Sequence, residues 1–341
     1  MITVAQVARV SPATVSRALN HPNLVSPKTR KRVEDAIRKT GYIRNRAAQA
    51  MHGRRSATIG LVVPTMNFSI FAELVQSFND AVTELGFTLL LATHRYDLKT
   101  EYQLLRKFLE HRVDGLALIG LDHNVDTYKL IETQNVPAIA AWSYSDHSAI
   151  SCVGSDNGEA GRVAARHILS LGHRRIGFVF PPTEGNDRAR SRQAGVIETL
   201  RSAGVEVPEA WAVRSLYSIA QSKAACLDLL QKPHPPTALI CGNDIIAQGA
   251  IYAAMECRMR VPNDLSIMGI GDFAGSSDMV PALSTIRIPA QKIGLQAGSH
   301  LIESIINHDQ RPILRIKIDA ELKSRSTTAP PRGDQASGFY S

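Results

Sequence analysis

Apolar positions along the chain follow one period up to about residue 43 and another from residue 57 onward. The first stretch has helical spacing. Val4, Val7 and Ala8 predict a short first helix, and Val15, Ala18 and Leu19 form the buried stripe of a second. Ser11 stands before the second helix as an N-cap. Pro12 follows at the first helical position, where its missing N–H costs nothing. A third helix is predicted from Ser26 and Pro27 to Thr40, with Val33, Ala36 and Ile37 inward and Gly41 ending it. Three short helices with a tight turn between the first two make a helix-turn-helix.

Beyond residue 57, apolar runs of strand length alternate with amphipathic stretches. Strands are predicted at 58–63, 88–92, 115–119, 138–141, 176–180, 238–241 and 266–269, with amphipathic segments such as 71–85 and 101–111 between them. This alternation is the signature of parallel sheets covered by helices. An internal echo, IGLVVP at 59–64 and IGFVFP at 176–181, points to two similar halves. The predicted fold class is α/β: a three-helix head and a linker, then a body of two doubly wound parallel-sheet lobes. Such lobes leave a cleft at the carboxyl ends of their strands, where ligands bind in open α/β sheets.

Charge separates the two regions further. Residues 1–56 carry twelve Lys and Arg against two acidic residues, Glu34 and Asp35, while the remaining 285 residues carry 27 against 29. The net charge of +8 therefore belongs to the head, where it reads as a nucleic-acid footprint. The second helix would enter the major groove. Ser11, Pro12 and Ala13 at its start let the backbone approach the bases, and Arg17 reaches a guanine edge bidentately. Thr14, Ser16 and Asn20 have short polar side chains suited to phosphate oxygens.

The segments VAQVARVSPATVSRALN, VDGLALIG, VGSDNGEAG, GHRRIGFV, ICGNDIIAQGA, VPNDLSIMGIGDF and PALSTIRIP are similar to those of the lac repressor (LacI/GalR) family of bacterial transcription regulators. The resemblance spans roughly residues 1–328. It implies a homodimer that binds a pseudo-palindromic double-stranded operator and responds to a small effector, on a body like a periplasmic sugar-binding protein. It also implies that residues 45–53 (NRAAQAMHG) form a hinge helix that folds in the minor groove, with Asn45, Ala48 and Met51 at the DNA and Met51 as the apolar wedge. The chain departs from the family in three places. It starts where family members have several more residues, Arg9 stands in a turn that normally carries Gly, and Arg44 replaces the usual Pro and adds a candidate phosphate contact. The short start bears on DNA-binding strength, and the left-handed turn position costs a non-Gly residue such as Arg9 about 1 kcal/mol.

Polar and aromatic residues that follow strands are the effector candidates: Phe71, Arg188, Arg192, Asn243, Asp244 and Asp272, with Trp142, Asp156, Asn186 and Tyr217 secondary. The family places an effector-contacting Arg at the position of Arg192. Carboxylates and amides suit hydroxyl-rich ligands, because they accept and donate in pairs. Asn243 and Asp156 are equally placed to cap the helices that follow them. Arg188 and Arg192 together offer more positive charge than a neutral sugar needs, and GIGDF resembles the gluconate-operon-repressor subgroup. The expected effector is accordingly a sugar acid such as gluconate. The competing arrangement is a salt bridge from one arginine to Asp187.

The expected domains are a head at 1–44, a hinge or linker at 45–56 and a body at 57–328. Lobe 1 takes about 57–157 and 288–318, lobe 2 about 158–287 and 319–328, and a Pro/Gly-rich disordered tail follows at 329–341. The reading is a repressor released from its operator by the effector. The alternatives are a corepressor-dependent member answering to a neutral sugar or purine, and a solute-binding protein. The latter predicts an export signal and no basic head, and both are contradicted. No apolar run approaches the roughly 20 residues of a membrane span, so no membrane partner and a cytoplasmic location are expected. Cys152, Cys226, Cys241 and Cys257 match no zinc or redox spacing and read as reduced core residues. Neither a phosphate-binding loop nor a nucleophile elbow nor metal-spaced histidines occur, so no enzyme, cofactor or metal is expected. Aromatic content of 6% argues against an RNA-stacking platform.

Overall fold

The computed structural model describes residues 1–43, 55–307 and 312–332. Arg44, Asn45, Ala48 and Met51 lie outside the described residues. The chain forms two compact units, Met1–Ser56 and Ala57–Ser341.

In the first unit α1 (Ile2–Ala8), α2 (Pro12–Asn20) and α3 (Pro27–Thr40) surround Val4, Ala5, Ala8, Val15, Ala18, Val33 and Ala36. Ala5 takes the inward position expected of Val7, which is exposed. A short helix against two neighbours has a narrow contact stripe, and the smaller residue lets them approach. Ser11 and Ser26 cap α2 and α3 by accepting from the backbone N–H of Thr14 (3.1 Å) and Thr29 (3.3 Å). Gly41 ends α3 at φ 62, in the left-handed region where Gly has no Cβ penalty.

The second unit contains two six-stranded sheets. The first sheet contains β1 (Thr58–Val63), β2 (Thr88–Thr93), β3 (Gly115–Ile119), β4 (Ala138–Ser143), β5 (Ser151–Ser155) and, from far along the chain, β11 (Arg315–Lys317). Its order is β11-β5-β4-β3-β1-β2, with parallel pairing throughout. The second sheet contains β6 (Ile176–Phe180), β7 (Ala212–Arg214), β8 (Ala238–Cys241), β9 (Ser266–Gly271), β10 (Ser284–Arg287) and β12 (Glu321–Lys323). Its order is β12-β10-β9-β8-β6-β7, and only the β10–β12 pair is antiparallel. The central strands are buried on both faces, which is why IGLVV and GLALI read as continuous apolar runs.

Helices α4 (Ser69–Glu84), α5 (Leu98–Glu110), α6 (Val125–Gln134) and α11 (Ala290–Ile306) cover the first sheet, and α7 (Asn157–Ser170), α8 (Asp187–Ser202), α9 (Ile219–Leu230) and α10 (Asp244–Glu256) the second. Helix α11 lies backbone to backbone on α4. A Cβ at Gly294 would stand 2.2 Å from Ser77 Oγ and 2.4 Å from the Leu74 carbonyl. The chain crosses between the lobes three times, after β5, after β10 and between β11 and β12.

Residues 329–332, expected to belong to a disordered tail, are ordered by contacts with the second lobe. His173 Nε2 lies 2.8 Å from the Ala329 carbonyl, the Ala329 N–H donates to Ser266 Oγ (3.0 Å), and Arg332 pairs with Asp264 (3.1 Å). Pro and small residues there mark an extended strap held to the second sheet, and composition alone does not separate a strap from disorder. Among the described residues no helix is long and apolar enough to cross a membrane. The four cysteines are free, three of them buried.

Candidate functional site

On the head, Ser11, Pro12, Ala13 and Arg17 are exposed along α2, with Thr14 and Ser16 half-exposed beside them. Ser11 Oγ and Thr14 Oγ1 lie 2.9 Å apart, so both serve the cap as well as the surface. Asn20 is the last residue of α2. Arg9 occupies the left-handed turn at φ 50, ψ 51. A non-Gly residue there costs roughly 1–2 kcal/mol. Arg32 answers this strain: its Nη2 donates to the carbonyls of Ala8 (2.5 Å) and Arg9 (3.0 Å), bringing positive charge to the C-terminus of α1. Sequence spacing gave no sign of this contact.

In the body a cavity of about 670 Å³ opens between the lobes at the strand carboxyl ends. Thr65, Phe68 and Tyr96 face it from the first lobe, and Pro181, Asn186 and Tyr217 from the second. Aromatic rings meet across it. Tyr96 stacks on Tyr217 at 5.5 Å, and Phe68 meets Tyr217 edge-on at 5.9 Å and Phe273 at 6.2 Å. Burial pushes the Tyr96 hydroxyl well above the usual tyrosine range, so this ring is a neutral wall. Arg95, Tyr96, Trp142 and Asp272 all have positive φ where β2, β4 and β9 end. Backbone strain of this kind gathers at functional sites. No sequence signal marks it, because none of the four is Gly.

The ten candidates have different surroundings, and Asp244 is a buried carboxylate accepting from the Phe273 N–H (2.8 Å), Ser276 Oγ (2.7 Å) and Thr285 Oγ1 (2.6 Å). Asn186 and Tyr217 line the cavity and bond to each other, Asn186 Nδ2 donating to the Tyr217 hydroxyl at 3.0 Å. Phe71 and Trp142 are buried against each other at 5.1 Å, and Trp142 Nε1 has no hydrogen-bond partner among the described residues. Asn186, Asn243 and Asp156 cap α8, α10 and α7. Asp156 also faces Arg162 at 3.5 Å. Asp272 receives Arg287 on one oxygen (2.6 Å) and Arg325 on the other (2.7 Å). Burial raises its carboxyl, but the hydrogen bonds from Arg325 and Arg287 outweigh this and hold it below the usual range.

The two arginines differ in their partners. Arg188 Nη1 donates to Asp187 Oδ1 (3.0 Å) and the Ile119 carbonyl (3.1 Å), the salt-bridge arrangement. Asp187, which sequence reasoning weighed only as that partner, also crosses to the first lobe. Its Oδ2 accepts from the Leu121 N–H (3.1 Å) and Ser143 Oγ (2.6 Å). Arg192 is buried and donates to neutral acceptors, Asn157 Oδ1 at 2.8 Å from Nε and the Gly242 carbonyl at 3.1 Å from Nη1. Burial pushes its guanidinium down to about 10. Both arginines lie within electrostatic reach of Tyr96. No group of three or more metal-ligating side chains occurs among the described residues.

Residues 1–45 match the family described as bacterial regulatory proteins, lacI family, and residues 165–328 match a periplasmic binding protein-like domain. Over 328 residues the chain is 30% identical to the HTH-type transcriptional repressor PurR of Escherichia coli, with 96% of each chain covered. The chain belongs to the lacI family. As a member it is a DNA-binding transcriptional regulator and not an enzyme. Its fold is similar to that of the lac repressor dimer bound to operator and the anti-inducer ONPF, at a TM-score of 0.83 and 27% identity over 96% of this chain and 98% of that one. It is also similar to the CelR–cellobiose complex, at a TM-score of 0.71 and 26% identity over 95% and 98%. In this lacI-family chain the basic head and the two-lobed cleft are therefore parts of one regulator.

Proposed function

We propose that the chain is an operator-binding repressor, acting as a homodimer, whose effector is a small anionic polyhydroxy molecule such as gluconate held between the lobes. Arg192 carries this reading. This buried guanidinium donates to neutral acceptors, with Asp244 and Asp187 acting on it only through space, so a carboxylate ligand would supply the charge-assisted partner it lacks at contact. The pairing of Arg188 with Asp187 leaves a single arginine for this role, which suits one carboxylate. The aromatic faces of Phe68, Tyr96 and Tyr217 suit a sugar skeleton whose polar edge turns toward Asn186. On the head, Arg17 reads base edges while the α2 start approaches the groove.

The effector acts only through different affinities for the two lobe arrangements that grip and release DNA. A thermal-shift screen of the purified protein against gluconate and other sugar acids, neutral sugars and purines tests the ligand class. A ligand that binds only the folded state raises the melting temperature. Shifts confined to sugar acids are expected. Shifts with neutral sugars or purines alone would remove the anionic assignment and leave the regulator intact. A neutral sugar is the second reading, favoured by the likeness to a cellobiose-bound regulator.

A further inference from the structure

The segment after β3 receives the second lobe. The Ile119 carbonyl accepts from Arg188, the Leu121 N–H donates to Asp187, and Asp122 takes Arg190 bidentately at 2.6 and 2.7 Å. Gly120 sits at φ 88 so close to α8 that a Cβ would stand 2.1 Å from Arg188 Nη1. From behind, the same segment is held by His123, whose side chain is fully buried. His123 Nε2 lies 3.0 Å from the Gly120 carbonyl, and Nδ1 lies 2.8 Å from Oε1 of Glu101, itself fully buried on α5.

A carbonyl oxygen only accepts, so Nε2 carries a hydrogen. At Nδ1 two states form a hydrogen bond: an imidazolium donating to a carboxylate, or a protonated carboxyl donating to a neutral ring. Both contain one further proton. Without it a buried carboxylate would face an imidazole lone pair at 2.8 Å. We infer that Glu101 and His123 hold one buried proton between them, and that it keeps segment 119–123 in the form that receives α8. They act as positioning residues, independently of the effector's identity.

The groups facing the pair are known. His94 lies 3.8 Å from Glu101 Oε2, and neither of its ring nitrogens has a hydrogen-bond partner among the described residues. Burial pushes its imidazole down, so His94 is a neutral neighbour. Tyr128 meets the His123 ring edge-on at 5.6 Å and donates to the Leu121 carbonyl at 2.7 Å. Asp122 and Asp187 lie beside Tyr128, Tyr96 stands 6.4 Å from the His94 ring, and Asp97 and Arg188 complete the surround.

The Leu121 N–H, donating to Asp187, reports the docking directly. Its hydrogen-exchange protection factor, measured in the full chain from mildly acidic to alkaline pH, tests the inference. An opening that releases one proton lowers protection tenfold per pH unit above the free-histidine value of about 6.5. In Glu101→Gln the amide donates to Nδ1 in place of the shared proton, so protection is retained and this slope vanishes. Superimposable pH profiles for the two proteins would overturn the inference. If Glu101→Gln does not fold, the wild type alone decides through 15N-labelled histidine spectra and the carboxyl infrared band. Two ring N–H groups, or one with a protonated carboxyl, support it. An unprotonated Nδ1 beside an ionised carboxylate at neutral pH overturns it.

Discussion

The guanidinium of Arg32 donates to the carbonyl of Arg9, the residue whose left-handed backbone ends the first helix. The two arginines thus form a strained turn and its brace. Replacing Arg9 by Gly removes the left-handed penalty, about 1 kcal/mol, while the bond from Arg32 is to backbone and survives. Amide exchange at Val10, whose N–H donates to the Ala5 carbonyl at 3.0 Å, is expected to slow about fivefold in Arg9→Gly. In Arg32→Ala it should accelerate by a comparable or larger factor. An unchanged rate in both variants would show that the turn is neither strained nor braced.

Arg17 stands exposed on α2, between the buried Val15 and Ala18. Arg17→Ala is expected to weaken binding by about 1–3 kcal/mol and to relax preference at one base pair of each half-site. Selection of bound duplexes from a random pool, run for both proteins, measures this. A uniform loss across all sequences would instead assign Arg17 to the phosphate backbone.

The central strands were legible because each is an uninterrupted apolar run buried on both faces. Strands β5 (SCVGS), β7 (AVR), β10 (STIR), β11 (RIK) and β12 (ELK) were not predicted, since segments this short are held by their sheet neighbours. The cap at Ser11 and the stop at Gly41 were readable from local chemistry. The cleft was readable only in outline. Arg188 and Arg192 look alike in sequence, and they differ because Asp187 reaches one while Asn157 and Gly242 reach the other. Asp272 looked free, but Arg287 and Arg325 converge on it from separate strands' ends. Phe68, Tyr96 and Asp187 earn their places through contacts across the lobes, which no local pattern encodes.

Asp187 is buried and joins Arg188 to Leu121 and Ser143 of the other lobe. Asp187→Ala leaves the guanidinium of Arg188 inside without its carboxylate, a loss of about 3–5 kcal/mol. Asp122→Asn breaks a pair whose arginine is half exposed, so solvent screening limits its cost to about 1 kcal/mol or less. Urea unfolding of both variants checks the order, and equal losses would mean that the buried bridge contributes nothing beyond the surface one.

His94, His167 and His173 are all held neutral by burial, which pushes each imidazole below its ordinary value. The native state therefore binds fewer protons than the unfolded chain just below the free-histidine value of about 6.5. Stability gained from these groups is present above that pH and is lost as pH falls. Urea midpoints should drop between neutral and mildly acidic pH, and His173→Gln should flatten part of the drop. A midpoint insensitive to pH across this window would refute the assignment.

The first lobe has its edge strand β11 and its covering helix α11 near the end of the chain. During synthesis, everything from β1 to β5 emerges long before them. Until then the face of α4 that carries Leu74, Ser77 and Phe78 lacks α11, and β5 is an unpaired edge. The second lobe is in the opposite position, since most of its strands are contiguous. The lobe begun first thus waits for its helix and edge strand until β6 to β10 of the second have been made, and a nascent chain arrested before residue 290 presents an apolar helix face for chaperones to cover.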